Sequence, residues 1–146
     1  MRRALLTRVL AATSCAVLAT GCLNSTEPQP SLLQLNGTWS YTGVQTSPIR
    51  ENLSGTLTIS RESGTSFQGR LDLVATNTQT GQSTVLGGLV SGGESGSDVI
   101  DFDADVETTP RRHVGQIVAD TITGTWVGSS STGTVSSGTF RVERQQ

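Results

Sequence analysis

From Trp39 to Val142 the apolar side chains fall at every second residue of short segments, and no window carries them at helical spacing. Period two marks a half-buried strand, because successive side chains of a strand point to opposite faces. Trp39 and Tyr41 alternate with Thr38 and Ser40. Leu53, Leu57 and Ile59 oppose Thr56, Thr58 and Ser60, and Phe67, Leu71 and Leu73 oppose Gln68, Arg70 and Asp72. Ile100, Phe102, Ala104 and Val106 alternate with Asp101, Asp103, Asp105 and Glu107. An apolar run from Val85 to Val90, a segment marked by Val114, Ile117 and Val118, and alternations at Ile122/Trp126 and Phe140/Val142 bring the expected number of strands to eight.

Polar connections separate these segments: Gly64 after Glu62-Ser63, Asn77 to Gln82, Gly92 to Ser97, Pro110, Asp120, and the Ser/Thr/Gly stretch from Gly128 to Gly138. None is long enough for the helical crossover that parallel strands need, so neighbouring strands pair antiparallel in a meander. The expected fold is all-β, an eight-stranded antiparallel up-and-down barrel, with a β-sandwich as the alternative. Gly-Thr recurs at 36–39, 54–57, 123–126 and 137–140, just before an apolar residue each time. Glycine inside a strand marks a bend or a close backbone approach, which a small closed sheet requires. Chance repetition in a chain rich in Gly, Ser and Thr is the other account of the triplets.

The first residues read as an address. Arg2, Arg3 and Arg8 precede an apolar run too short to span a membrane. It ends Leu18-Ala19-Thr20-Gly21-Cys22, which resembles the lipobox of bacterial lipoproteins, with Ala19 standing where the leucine usually does. The resemblance implies a signal peptide over 1–21 and lipidation, palmitate included, on Cys22. Removal of 1–21 discards Cys15 and leaves Cys22 as a lone cysteine, which in a secreted chain calls for such an explanation. Residues 22–34, with Pro28 and Pro30, read as a flexible tether, and 35–146 as the β domain. The shortened chain keeps seven arginines against twelve acids, a formal charge of −5, where the full chain has −2. By the same resemblance, Leu23 after the cysteine points to the outer membrane of a bacterial cell envelope, on its periplasmic or surface face.

The motif Leu35-Asn36-Gly37-Thr38-Trp39, with arginine on the last strand, is similar to the calycin pattern of lipocalins, fatty-acid-binding proteins and avidins. That resemblance implies a Gly-x-Trp on the first strand that closes one end of the barrel beside a basic residue of the final strand. The matching positions are Gly37, Trp39 and Arg141 or Arg144. An avidin-like site needs several pocket tryptophans, and the chain holds only Trp39 and Trp126.

Candidate chemistry is sparse. Asp101, Asp103 and Asp105 share one strand face, read here as a solvated outer surface paired with Arg111, Arg112 or Arg70; a metal site joined by Asp98 and Glu94 is the alternative. Alternate strand residues lie about 6.6–6.8 Å apart, too far to wrap one ion tightly. His113, the single histidine, reads as a surface residue in a turn after Pro110. No lysine is present, which excludes a P-loop and Schiff-base chemistry, and no Gly-x-Ser-x-Gly elbow occurs. The mild acidity gives no nucleic-acid footprint. The expected function is therefore a non-catalytic binding or structural module with no cofactor, held to a membrane by its lipid. Its expected partner is a small apolar ligand, on a pocket lined by Trp39, Tyr41, Phe67, Phe102 and Trp126, or an envelope protein docked on a filled barrel. An envelope hydrolase is the remaining alternative.

Overall fold

The computed structural model describes residues 34–96, 98–106, 109–129 and 133–146. The expected signal segment 1–21, Cys22 and the tether up to residue 33 lie outside the described residues. Eight strands follow one another: β1 (Gly37–Ser47), β2 (Glu51–Ser63), β3 (Ser66–Asn77), β4 (Ser83–Glu94), β5 (Val99–Val106), β6 (Thr109–Val118), β7 (Thr121–Ser129) and β8 (Val135–Arg144). Each pairs antiparallel with its sequence neighbours, and β1 also pairs with β8, from Trp39 opposite Arg144 to Ser47 opposite Ser137. The sheet is thus a closed barrel and not a sandwich. Closure removes the unpaired edges that an open sheet of this composition would expose.

The period-two pattern decides which faces turn inward. Leu53, Leu57, Ile59, Leu71, Leu73, Ile100, Phe102, Ala104, Val106, Ile122, Phe140 and Val142 are all buried, while their alternates face outward. The sharp coiling of so small a barrel rests on missing side chains. A Cβ on Gly55 would stand 2.0 Å from the Asp72 carbonyl oxygen, and one on Gly124 would stand 2.0 Å from that of Val114. Both belong to the repeated Gly-Thr triplets, so these two glycines mark close backbone approaches and are not compositional chance. Bulges at Gln45/Ser47 in β1 and Ile59/Arg61 in β2 add further bending.

One segment departs from the expected phase. In β6 the inward residues are Arg111, His113, Gly115 and Ile117, whereas Val114 and Val118 are exposed. Pro110 lies inside β6 and not in a turn. In β4, Val85 and Leu89 face outward and Leu86 and Val90 inward, so the apolar run straddles both faces.

The end of the barrel where the described chain enters is closed by a clamp. The Arg144 guanidinium lies over the Trp39 ring, 4.3 Å from its centroid, and donates to the carbonyls of Asn36 and Gln34. The Trp39 indole N–H donates to the Leu35 carbonyl at 2.9 Å, and the Glu62 carboxylate accepts from the Leu35 and Asn36 amides. Leu35 is thereby held as an apolar stopper, 1% exposed. The basic residue of the closure is Arg144. Arg141 faces outward and pairs with Glu143 on its own strand. The reason is parity: Arg141 shares its face with Glu143 and the outward threonines, while Arg144 sits at the strand end, opposite Trp39 in the register.

Loss of the clamp is expected to lower stability by about 1–2 kcal/mol in Arg144→Ala, from one cation–π contact and its carbonyl hydrogen bonds. Arg141→Ala is expected to stay within about 0.5 kcal/mol of the parent. Urea unfolding of both variants distinguishes the two arginines, and equal losses would mean that Arg144 does not close the barrel.

Candidate functional site

The interior divides into a packed middle and an open mouth. Tyr41, Phe67, Phe102, His113, Trp126 and Phe140 form one cluster of rings. Phe102 and His113 stack at 4.5 Å between centroids, Tyr41 and Phe140 stack at 6.0 Å, and Phe67 tilts against Phe102. His113 also meets Phe140 edge-on at 5.1 Å and Trp126 at 6.2 Å. All are buried to the level of a few per cent or less. Offset and edge-on ring contacts of this kind add about 0.5–1.5 kcal/mol per pair beyond their burial.

His113 is therefore not a surface residue in a turn but a fully buried member of the core. Its Nδ1 lies 3.0 Å from the Arg111 carbonyl oxygen and its Nε2 lies 3.3 Å from the Tyr41 hydroxyl. A carbonyl only accepts, so Nδ1 carries the proton, and Nε2 of the neutral ring accepts from Tyr41. Burial pushes the His113 pKa down from 6.5 to about 4, with the Arg111 charge adding to the effect and the Arg111 carbonyl opposing it. Burial likewise pushes the Tyr41 hydroxyl well above its ordinary range, and the Arg111 charge offsets part of this. Tyr41 is thus the donor and His113 the acceptor throughout the neutral range.

Above this cluster, at the end opposite Arg144, lies a cavity of about 270 Å³ lined by Gln45, Pro48, Glu51, Ala75, Thr84, Leu86, Val106, Thr109, Arg111, Thr134 and Ser136. Its residues come from the far ends of strands β1 to β6 and from the start of β8, which the antiparallel meander brings to one rim. Gln45, though buried, donates from Nε2 to the Glu51 carboxylate at 3.0 Å and to the Ile49 carbonyl at 3.1 Å, which fixes the β1–β2 connection across the rim. Arg111 reaches inward with its guanidinium carbon 4.6 Å from the centroid of the Trp126 ring. The mouth thus mixes apolar side chains (Ala75, Leu86, Val106) with hydroxyls (Thr84, Thr109, Ser136), one cation at its floor and one carboxylate at its rim.

The five aromatic residues expected to line a pocket are all inward, but they do not form one. Trp39 belongs to the closed end, and Tyr41, Phe102 and Trp126 pack in the middle, below the mouth. Phe67 also borders a shallow recess of about 290 Å³ with Ser63, Ser66, Gln68, Ser91 and Gly92, at the closed end. They fill the interior instead because rings this large, on facing strands of an eight-stranded barrel, occupy the whole cross-section. The mouth residues that sequence reasoning missed are Gln45, Glu51, Leu86 and Arg111. A signal was present for Arg111: counting back from Ile117 by twos places both His113 and Arg111 inside. Val114, Ile117 and Val118 mark the segment without fixing which phase turns inward, and that hid it.

On the outer face, Arg112 holds Asp101 through two hydrogen bonds, Nε to Oδ1 at 3.1 Å among them, and this lowers the Asp101 pKa. Arg70 pairs with Asp72 on its own strand and Arg111 points inward, so neither meets the acidic ladder. Asp101, Asp103 and Asp105 share the outer face as expected. Among the described residues no group of three or more His, Cys, Asp or Glu side chains is placed to hold a metal ion.

No protein-family model and no curated protein matches the chain. Solved structures do match at the level of fold. EF1p2_mFAP2b bound to DFHBI superposes with a TM-score of 0.61 at 14% identity, over 76% of this chain and 94% of that one. The redesigned β-barrel mFAP1, also bound to DFHBI, gives 0.55 at 16% identity, over 75% and 94%. A protein of unknown function from Bacteroides ovatus gives 0.53 at 9% identity, over 76% of this chain and 42% of that one. At these identities the likeness is one of fold, that of a closed eight-stranded antiparallel barrel.

The buried histidine gives a pH signature. Between pH 6.5 and about 4 the unfolded chain binds a proton at His113 that the folded chain does not, so stability falls as the pH drops through this window. The loss is on the order of 3 kcal/mol at its limit. Asp101 contributes only below its ordinary value of 3.8, outside the window. His113→Phe should flatten stability between pH 6.5 and 4, whatever its stability at neutral pH. An unchanged slope in urea titrations across that range would contradict the buried neutral imidazole.

Proposed function

We propose that the protein is a non-catalytic module of a bacterial envelope, anchored by lipid on Cys22, that takes up a small, largely apolar molecule in the mouth of its barrel. The observation that carries this reading is the cavity of about 270 Å³ in which Ala75, Leu86 and Val106 stand among polar groups, Arg111, Gln45, Glu51, Thr84, Thr109 and Ser136. A concave space that combines apolar walls with convergent polar groups is a usual form of a small-molecule site. An eight-stranded barrel leaves room for side chains or for one small ligand, and here the middle is filled while the mouth is not. That EF1p2_mFAP2b, with the same fold, is bound to DFHBI supports the reading.

The position of the entering chain agrees with an anchor. Gln34 and Leu35 sit at the closed end under Arg144, the end opposite the mouth. The position of His113 agrees with a non-catalytic role, because an imidazole sealed between Tyr41, Phe102 and the Arg111 carbonyl cannot reach a substrate. A second reading, docking on an envelope protein, is favoured by one observation: Val85 and Leu89 are 77% and 68% exposed on the outer face of β4.

Leu86→Trp, which places an indole in the mouth, should abolish saturable uptake of an apolar fluorescent dye while leaving the cooperative unfolding transition in place. Uptake that survives the substitution would remove the mouth as the site. Cells fed labelled palmitate should label the parent chain and leave Cys22→Ala unlabelled and absent from the membrane fraction. A parent chain that takes up no label would end the anchoring part of the proposal.

A further inference from the structure

We infer that Asn36-Gly37 is a site of spontaneous deamidation, and that the isoaspartate it yields loosens the closed end of the barrel. The reactants are the Asn36 side-chain amide, the Gly37 main-chain nitrogen and water.

The pair is set apart from the other described asparagines. Asn36 and Gly37 are both exposed, and no described group hydrogen-bonds the Asn36 side-chain amide. Gly37 has a φ of +131°, which side-chain-bearing residues rarely adopt, so the fold itself places glycine after Asn36. With no side chain, Gly37 leaves its nitrogen open to attack on the amide. Asn52 instead precedes Leu53, whose side chain hinders that approach, and is paired on both sides, with Val44 and Thr76. Asn77 precedes Thr78, and its Oδ1 is taken by the amides of Gln79 and Thr80 at 2.8 and 3.0 Å.

The Gly37 nitrogen, on losing its proton to base, attacks the side-chain carbonyl carbon of Asn36. The amide C–N bond breaks, ammonia leaves with a proton, and a cyclic imide joins the two residues. Water then adds to one imide carbonyl and breaks its C–N bond. Opening on one side gives aspartate. Opening on the other gives isoaspartate, in which the main chain runs through the former side chain.

Two charged side chains hold this site. The main-chain N–H of Asn36 donates to the Glu62 carboxylate at 3.3 Å, and its carbonyl accepts from Arg144 at 2.9 Å. Attack needs the main chain here to turn, so these contacts slow the reaction, which proceeds from the locally opened clamp. The product then keeps the clamp from re-forming. Isoaspartate adds one main-chain bond, about 1.5 Å long, between Leu35 and Trp39. Those residues are joined by the indole hydrogen bond of 2.9 Å that seats the Leu35 stopper. The carbonyl that Arg144 grips also leaves the main chain and becomes a carboxylate, close to that of Glu62.

The test incubates the purified full chain at mildly alkaline pH and follows each asparagine by peptide mass spectrometry, with enzymatic methylation to count isoaspartate. Asn36 should convert while Asn52 and Asn77 stay intact. Arg144→Ala should convert at Asn36 about fivefold or more faster than the parent, as expected when a held segment is freed to open. If Arg144→Ala does not fold, Glu62→Gln, which weakens the other anchor of Asn36, takes its place. In nitrogen-15 spectra the isoaspartate fraction should move the Trp39 indole resonance and leave that of Trp126 in place. Asn36→Asp, which adds the charge without the extra bond, should leave both in place. Conversion of Asn36 no faster than that of Asn52 and Asn77 would overturn the site. Equal rates in the parent and the clamp variant, a Trp39 resonance that does not move, or an equal shift in Asn36→Asp would overturn its link to the closed end.

Discussion

Closure of the sheet between β1 and β8 is the constraint on which the remaining features depend. Once eight strands close, the interior has a fixed and small cross-section, and every inward residue competes for it. Glycine at Gly55 and Gly124 lets neighbouring backbones approach closely enough for that curvature. The large rings then fill the middle, and what remains open is the end where the inward residues become Ala75, Leu86, Val106 and Ser136. The cavity is in this sense a consequence of where the rings stop.

The two ends are treated differently by the same type of contact. At the closed end Arg144 stacks on Trp39, donates to backbone carbonyls and pins the entering chain over the opening. At the mouth Arg111 stacks on Trp126 at a similar distance, but from inside the barrel. One arginine–tryptophan pair seals, and the other forms a floor. Between them lies a single polar link, from Tyr41 to His113 to the Arg111 carbonyl, which meets the hydrogen-bonding needs of a histidine that burial keeps neutral. A satisfied polar link inside a ring cluster fixes one arrangement of the core more sharply than apolar packing alone.

Much of the architecture was legible in the chain. The alternations at Trp39/Tyr41, Leu53/Leu57/Ile59 and Ile100/Phe102/Ala104/Val106 each name the inward face correctly, because a strand with one buried side has no other way to arrange its side chains. The motif around Gly37 and Trp39 located the closed end. The site was less legible. Arg111 and His113 sit in a segment whose valines occupy the outward phase, so hydrophobicity pointed to the wrong face there. Gln45 and Glu51 carry no sequence signal, since their meaning comes from a contact across the rim.

The sequence by itself determined the eight strands, their antiparallel order and, outside β4 and β6, the residues that turn inward, since period two and short polar connections follow from local geometry. Only the tertiary structure decided that the sheet closes, that Arg144 and not Arg141 seals it, and that the expected aromatic lining is a packed plug with the open space above it. Those outcomes depend on register and on competition for one shared volume among side chains far apart in the chain, and neither is written in any single segment.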